Sequence, residues 1–152
     1  MEYRSLNISH LEKLESLEKQ SFSDPWSEKM LRDSLESKYT AGIGAFEGEE
    51  LVGYVMWLEA IDCFEILNVA TLPSHRRRGI GKKLMRLCIG YAESLKKERI
   101  LLEVRRTNTA ATALYESLGF LSVGVRKNYY KNPVEDAILM DLALEIPTNP
   151  SE

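Results

Sequence analysis

The chain has 152 residues, a formal net charge of −3 at pH 7 and 44% hydrophobic residues, which suits one globular domain with its own core. Its acidic balance is a poor match to proteins that hold nucleic acid by its phosphates, since these are usually strongly basic. No apolar run reaches about 18 residues and the N-terminus lacks the basic-then-apolar order of a secretory signal, so we expect a cytoplasmic protein without a membrane span.

Two helices are predicted first. Apolar residues recur at helical spacing in NISHLEKLESLEKQSF, with Ser9 as a plausible N-cap. The segment SDPWSEKMLRDSLES predicts a second helix, capped by Ser23 or Asp24 and with Pro25 near its first turn. The apolar positions of the first helix are Ile8, Leu11, Leu14 and Leu17.

Strands and helices then alternate. AGIGAFEGEELVGYVMWLEA predicts two strands joined by a turn at residues 47–50, and FEILNVATL predicts a third strand that ends at Pro73. RRRGIGKKLMRLCIGYAESLKKE predicts a long helix, and RILLEVRR another strand. NTAATALYESLGF predicts a short helix with Asn108 as N-cap and Gly119 at the C′ position. The expected apolar face of the long helix is Ile80, Leu84, Leu87, Cys88, Tyr91 and Leu95.

Two further strands, in FLSVGVRKNYY and EDAILMDLAL, complete the chain before the tail IPTNPSE. The middle of the chain therefore alternates strand, helix, strand, helix and strand, an α/β order for which right-handed crossovers are expected. The hairpins on either side predict a mixed sheet. We expect one domain over residues 1–146 and a flexible tail over residues 147–152.

The stretch HRRRGIGKKL, residues 75–84, concentrates positive charge between a strand and the start of a helix. Unpaired N–H groups at a helix N-terminus bind anions, and glycine lets the backbone come close to them. The stretch lacks the third glycine of a dinucleotide-binding fingerprint and the spacing of a P-loop. Its composition alone fits a phosphate cradle and a solvated helix start about equally, and favours a nucleic-acid patch less because no aromatic residue interleaves.

Four longer segments decide between these interpretations. They are DPWSEKML, ILNVATLPSHRRRGIGKKL, LLEVRRTNTAATALYESLGF and RKNYYKNPVEDAILM. Together they resemble the GNAT superfamily of acyl-CoA-dependent N-acetyltransferases, and most closely its RimI-type ribosomal-protein alanine N-acetyltransferases. The resemblance implies a GNAT fold, which is a mixed, splayed central sheet of about six or seven strands flanked by about four helices.

The same resemblance implies where acetyl-CoA binds. The basic loop would hold the coenzyme A pyrophosphate, and the strand NVATL would present backbone groups to the pantetheine arm. The oxyanion donor would be the backbone N–H of Val69, and Asn108 would contact the cofactor as well as cap its helix. The implied cofactor-binding residues are Val69, Ala70, Thr71, Arg76, Arg77, Arg78, Gly79, Ile80, Gly81, Lys82 and Asn108.

Acetyl transfer to an amine requires a neutral amine, a donor for the oxyanion and a proton for the leaving thiolate. Glu103 interrupts the apolar run ILLEV, and the residues alone favour an ion pair with Arg105 or a nearby lysine. The resemblance instead makes Glu103 the general base. It makes Tyr115, otherwise a half-buried aromatic anchor, the general acid, a role that suits a phenol with a pKa of about 10.

The acceptor side is assigned to Tyr129, Tyr130 and Trp26. The tyrosine pair would lie over the peptide site by resemblance, and Trp26 belongs to the segment that would form the other wall, where a core position is favoured over direct contact. An α-amine with a pKa near 8 is roughly one-tenth neutral at pH 7, whereas a lysine near 10.4 is neutral in roughly one molecule in two thousand. A lone glutamate base therefore favours a protein N-terminus, by resemblance an alanine of a small-subunit ribosomal protein.

Other functions remain open on the sequence. The acceptor could be a protein lysine or a small-molecule amine, or the chain could sense acyl-CoA without turnover, against which the presence of both Glu103 and Tyr115 argues. We expect direct transfer in a ternary complex, with Cys88 in the core and His75 in a solvated loop. Two separated cysteines and two histidines predict no metal site. No nucleic-acid or membrane partner is expected, and the default oligomeric state is a monomer.

Overall fold

The structure is a computed structural model that describes residues 1–145. Within that range, seven strands form one mixed sheet, and four α-helices pack against it. The strands are β1 Glu2–Ser5, β2 Thr40–Glu47, β3 Glu50–Glu59, β4 Cys63–Thr71, β5 Arg99–Arg105, β6 Leu121–Tyr130 and β7 Glu135–Ala143. The helices are α1 Leu11–Ser21, α2 Glu28–Glu36, α3 Ile80–Ser94 and α4 Thr109–Ser117. The predicted domain end and the predicted tail lie outside the described residues.

The strand order is β1-β2-β3-β4-β5-β7-β6, and β4 with β5 is the parallel pair within this sheet. Their ladder runs from Cys63 opposite Arg99 to Glu65 opposite Leu101 and ends there, although both strands continue. Beyond that point β4 and β5 diverge. The predicted mixed, splayed sheet is confirmed.

A β-bulge in β4 lies beside this divergence. Met56 of β3 pairs with Asn68 and its neighbour Trp57 pairs with Ile66, so Leu67 has no opposite residue. A bulge bends its strand and redirects the side chains that follow. The bulge therefore sets the direction of Asn68 and Val69 along the opening between β4 and β5.

The caps of α4 are confirmed and those of the first two helices are not. Asn108 Oδ1 accepts from the Ala111 N–H at 3.1 Å, and Gly119 has a φ of +99° after the helix ends. The chain begins its first helical segment with a 3₁₀ turn, Ile8–His10, capped by Asn7 rather than Ser9. Ser27, not Ser23 or Asp24, caps α2 by accepting from the Met30 N–H at 3.2 Å, because α2 begins only at Glu28.

Two further expectations need correction. The short strand β1 was not predicted; it pairs antiparallel with β2, about 40 residues away in the chain. The buried face of α3 is also rotated from the predicted one, since Tyr91 and Leu95 are half exposed. Its buried residues are Ile80, Leu84, Met85, Cys88 and Ala92.

The close packing of α3 on β3 gives a stability prediction. A Cβ atom at Gly53 would stand 3.0 Å from Ile80 Cγ2 and 3.1 Å from the Ala70 carbonyl oxygen, whereas no atom of the described residues lies within 4 Å of one at Gly90. We expect Gly53→Ala to lower the free energy of unfolding by about 1–3 kcal/mol. Gly90→Ala, inside α3, is the matched control and should raise it by about 0.5–1 kcal/mol. Urea unfolding measures both, and a shift in the same direction for the two variants would contradict the packing argument.

Candidate active site

A cleft of ≈ 380 Å³ opens where β4 and β5 diverge. Residues 66–69 of β4 and 102–105 of β5 form two of its walls, and residues 22–26 between α1 and α2 form a third. The remaining lining residues are Glu18, Met30, Asn108, Ala111, Tyr115 and Tyr130. A larger groove of ≈ 660 Å³ between α1 and α2 is lined mostly by charged and polar side chains and contains none of the predicted site residues.

Glu103 lies on β5 with its side chain 27% exposed at the cleft wall. The residues alone favoured an ion pair with Arg105 or a nearby lysine, and the structure pairs Glu103 with neither. Arg105 lies 3.3 Å from Glu135 and also donates to the Lys131 carbonyl at 2.8 Å. Glu103 Oε1 instead lies 3.4 Å from a guanidinium nitrogen of Arg126, a residue of β6 that the sequence analysis did not single out.

Tyr115 lies in the last turn of α4 and is 7% exposed. Its ring packs against Phe120 with 5.8 Å between the ring centres, and the residue lines the cleft. Burial raises the pKa of Tyr115 to about 12, with a smaller contribution from Tyr130. The phenol is therefore protonated at any physiological pH, which is the state that a proton donor requires.

The predicted acceptor-side aromatic residues divide into two groups. Tyr130 lines the cleft, and Arg105 lies over its ring at 4.4 Å from the centre. Burial, followed by the charge of Glu103, raises the pKa of Tyr130 to about 12. Tyr129 is 44% exposed and is not a lining residue, but its hydrogen bond to Glu103 raises the pKa of its own phenol. Trp26 is both core and cleft wall, since it packs against the core cluster and lines the cleft.

The basic loop lies between β4 and the start of α3. Arg77 and Gly79 have φ values of 64° and 78°, and no side chain among residues 1–145 caps the N-terminus of α3. No atom of residues 1–145 lies within 4 Å of a Cβ built at Gly79, so the space beside this helix start is open. A Cβ built at Gly81, in the first turn of α3, would stand 3.4 Å from Leu114 Cδ2, which places α4 beside the start of α3. These features fit the pyrophosphate of coenzyme A.

Ion pairs with Glu47 at the end of β2 also fix the position of the basic loop. His75 Nε2 lies 2.7 Å from Glu47 Oε2, and a guanidinium nitrogen of Arg78 lies 3.8 Å from the same oxygen. The hydrogen bond to His75 lowers the pKa of Glu47. The sequence predicted a solvated loop histidine, but His75 instead links the basic loop to Glu47 at the turn between β2 and β3. Arg76 Nε donates to the Thr71 carbonyl oxygen at 3.3 Å.

The structure brings only part of the predicted cofactor set to the cleft. Val69 and Asn108 line it, whereas the members of the set between residues 70 and 82 do not. Ala70 and Ile80 are buried and could contact a ligand only through their backbones. The Val69 N–H, the predicted oxyanion donor, already donates to Asn68 Oδ1 at 3.1 Å. A carbonyl oxygen must displace Asn68 Oδ1 to use that group.

Glu18 is a cleft residue that the sequence analysis missed. Its side chain is fully buried, and Oε1 accepts from the Tyr54 hydroxyl and from Asn68 Nδ2. Asn68 Nδ2 also lies 3.1 Å from the Tyr54 hydroxyl. A signal was available: Glu18 follows Leu11 by seven residues and Leu14 by four, so a carboxylate occupies the apolar face of α1.

Both cysteines are free thiols. Cys88 is buried in α3, and burial raises its pKa to about 12. Cys63 does not line the cleft, and burial followed by nearby carboxylates raises its pKa. Neither thiol has the low pKa of a catalytic nucleophile. Among residues 1–145, no group of three or more His, Cys, Asp or Glu side chains is placed to hold a metal ion. No helix in the same range is long and apolar enough to span a membrane.

Comparison with known proteins gives consistent matches. The family model described as "Acetyltransferase (GNAT) family" matches residues 11–120. The [ribosomal protein bS18]-alanine N-acetyltransferase of Escherichia coli (strain K12) is 31% identical over 144 residues, which cover 93% of this chain and 97% of the relative. The N-alpha-acetyltransferase RimI of Mycobacterium tuberculosis is 34% identical over 142 residues, or 90% of this chain and 88% of the relative.

Solved structures match over the same length. The crystal structure of the ribosomal-protein-S18-alanine N-acetyltransferase from Escherichia coli has a TM-score of 0.91 and 29% identity, covering 98% of this chain and 97% of that one. Arabidopsis thaliana NAA60 in complex with acetyl-CoA has a TM-score of 0.83 at 20% identity, covering 93% and 97%, and shows a shared fold alone.

Proposed function

Because the chain belongs to the GNAT family of acetyltransferases, we propose that it transfers the acetyl group of acetyl-CoA to the N-terminal α-amine of a protein. Its family makes the chain an acetyl-CoA-dependent N-acetyltransferase, so the proposal concerns the acceptor and the roles of individual residues. By analogy with the names of its relatives, the acceptor is an alanine at the start of a small-subunit ribosomal protein. One observation carries the proposal: Glu103, Tyr115 and Tyr130 line a single cleft, which opens where β4 diverges from β5.

Acetyl-CoA supplies the acetyl thioester, and the residues of this chain fit its anionic end. The uncapped N-terminus of α3 and the open space above Gly79 accommodate the pyrophosphate, with Arg76, Arg77 and Lys82 available for charge. Arg78 is paired with Glu47, so part of the basic stretch is already neutralised by the chain itself. That pairing argues against a nucleic-acid surface and for a built loop.

The proposed reaction is direct. Glu103 takes a proton from the α-ammonium, directly or through a water, and the neutral amine attacks the thioester carbonyl carbon. The C–N bond forms, the C–S bond breaks, and Tyr115 gives its proton to the departing thiolate. The nitrogen then loses its second proton through water, which restores the Tyr115 phenol, and Glu103 releases its proton to solvent. The Val69 N–H, once released by Asn68, holds the oxyanion. The burial of Cys88 and the position of Cys63 outside the cleft support transfer without an acyl-enzyme.

The acceptor side supports a peptide. Tyr130 and Trp26 line the same cleft from different segments, and the proposed base, Glu103, raises the pKa of the Tyr129 phenol. An α-amine loses its proton to a single carboxylate more readily than a lysine does, because its pKa is lower by about two units. We place the enzyme in the cytoplasm as a monomer that needs neither nucleic acid nor a membrane.

Mass spectrometry of two peptides incubated with acetyl-CoA tests the proposed acceptor. One peptide has a free N-terminal alanine and no lysine, and the other has a blocked N-terminus and internal lysines. We expect only the first to gain the mass of an acetyl group. Acetylation of only the second would reject the α-amine acceptor. If neither peptide reacts, the peptide acceptor is rejected, and two alternatives replace it: acetylation of a small-molecule amine, or acyl-CoA sensing without turnover. A screen of small amines tests the first alternative, and calorimetry with acetyl-CoA tests the second.

A further inference from the structure

Glu18 carries a buried carboxylate oxygen that the fold does not use. Oε1 has two donors, but Oε2 is buried and has no hydrogen-bond partner among the described residues. Burial raises the pKa of Glu18, while the Tyr54 hydroxyl, the Trp26 backbone N–H and Asn68 favour the charged carboxylate. The Trp26 N–H makes no hydrogen bond of ordinary geometry to Oε2. An unpaired buried oxygen of this kind is costly, and its usual explanation is a ligand or a water that completes it.

The position of Glu18 identifies what would complete it. The residue lines the cleft and is bonded to Asn68 of β4, whereas Glu103 belongs to β5 on the other side. A charged amine that enters between the two strands would have a carboxylate on either side of it, and it reaches Glu18 Oε2 by displacing the atoms that cover this buried oxygen. An α-ammonium has three N–H donors, and deprotonation by Glu103 uses one of them.

We propose that Glu18 is a second acceptor-binding residue, whose Oε2 accepts a hydrogen bond from the α-amino group while Glu103 takes that group's proton. This assignment rests on the proposed function, since it needs an amine in the cleft. The bond to Glu18 limits rotation of the amino group. Once Glu103 has removed a proton, the nitrogen lone pair then points toward the thioester rather than into the β4 wall. The bond from Asn68 Nδ2 to Oε1 keeps the carboxyl in place for this task.

Glu18→Gln tests the proposal at one atom. The amide oxygen can still accept from Tyr54 and Asn68, while the amide nitrogen replaces Oε2 and presents a donor to the amine. We expect thermal stability and the Kd for coenzyme A to be preserved, and the Kd for an Ala-initiated peptide to rise about ten-fold or more. Calorimetry in the presence of coenzyme A measures peptide binding without turnover.

Two comparisons isolate the interaction. A des-amino version of the peptide should bind the wild type and Glu18→Gln with Kd values within about two-fold of each other, because it lacks the donor. Tyr54→Phe removes a bond to Oε1 but leaves Oε2 unchanged, so it should lower thermal stability while peptide affinity stays within about two-fold.

The possible outcomes distinguish a failure of the Glu18 assignment from a failure of the proposed α-amine acceptor. If Glu18→Gln binds the free-amine peptide as the wild type does, Glu18 is only a structural anchor for Asn68 and the inference is wrong. If the wild type binds neither peptide, the proposed acceptor is wrong and the inference falls with it. If Glu18→Gln weakens the free-amine and des-amino peptides equally, the loss comes from the shape of the cleft, and a bond to the amine is again rejected.

Discussion

Glu103→Gln is expected to lower kcat by about 10²- to 10⁴-fold. Glutamine has nearly the same shape but cannot take a proton, so the amine must lose its proton to solvent instead. The Kd for acetyl-CoA should remain within about two-fold, because Glu103 contacts Arg126 and Tyr129 and lies away from the basic loop. Initial rates of thiol release with an Ala-initiated peptide, together with calorimetry of acetyl-CoA binding, measure both quantities.

A pH series distinguishes a lost base from a disturbed site. The neutral fraction of an α-amine with a pKa of about 8 rises as the pH increases from 7 to 9. The ratio of wild-type to Glu103→Gln rates should therefore fall across this range, because solvent increasingly performs the deprotonation. A ratio that stays constant would indicate that the substitution damages geometry rather than proton removal.

Glu65→Gln is the matched control for this series. Glu65 lies on β4, is exposed, and stands where the ladder with β5 ends, outside the cleft. The same change of charge and shape there should leave kcat within about two-fold of the wild type. If both variants lose activity equally, the effect of Glu103→Gln comes from the net charge of the protein and the general-base role is not supported.

Local signals account for the parts of the fold that the sequence predicted well. Asn108 and Gly119 are confirmed because a cap depends on a few neighbouring residues. The strand β1 was missed because its partner, β2, is distant in the chain. The caps of the first two helices were misplaced by a few residues because several nearby side chains can cap. The choice between Asn7 and Ser9 at the first helical segment, and between Ser27 and Ser23 or Asp24 at α2, depends on backbone angles that tertiary packing sets.

The partners of the site residues depend on topology, which spacing along one strand does not reveal. Arg105 shares a face with Glu103 in β5, so a neighbouring pair was the natural expectation. In the folded sheet, Ala137 of β7 pairs with both Arg105 and Arg126, which brings β6 within reach of Glu103. The order β5-β7-β6 thus decides the ion pair, and no local pattern predicts it.

The cleft itself depends on where pairing stops. The ladder between β4 and β5 ends after Glu65 and Leu101, and the bulge at Leu67 redirects the rest of β4. Neither feature has a signature in the apolar runs FEILNVATL and RILLEVRR, which would suit a continuously paired sheet equally well. The splay was therefore implied by family resemblance and not by the residues. Glu18, by contrast, interrupts an apolar helix face and was visible in the sequence.

Tyr115→Phe is expected to lower kcat by about 10²-fold or more while the KM for the peptide and the free energy of unfolding change little. The variant removes only the hydroxyl that would protonate the thiolate. The aromatic ring keeps its packing against Phe120. Single-turnover rates and urea unfolding measure the two quantities, and Tyr91→Phe, at a half-exposed position on α3, is the matched control that should leave both unchanged.

The alkaline behaviour of the wild type tests the same role without a mutation. A phenol with an ordinary pKa of about 10 is half ionised at pH 10 and would by then lose half its capacity as an acid. Burial raises the pKa of Tyr115 to about 12, so its protonated form persists and kcat should not fall between pH 8 and about pH 10 for lack of this proton. A kcat that halves near pH 10 in the wild type but not in Tyr115→Phe would place the titrating acid at Tyr115 with an ordinary pKa. A Tyr115→Phe variant with wild-type kcat would show that the thiolate leaves without the phenol, and Glu103 would then be the one side chain to which the proposed reaction assigns a proton transfer.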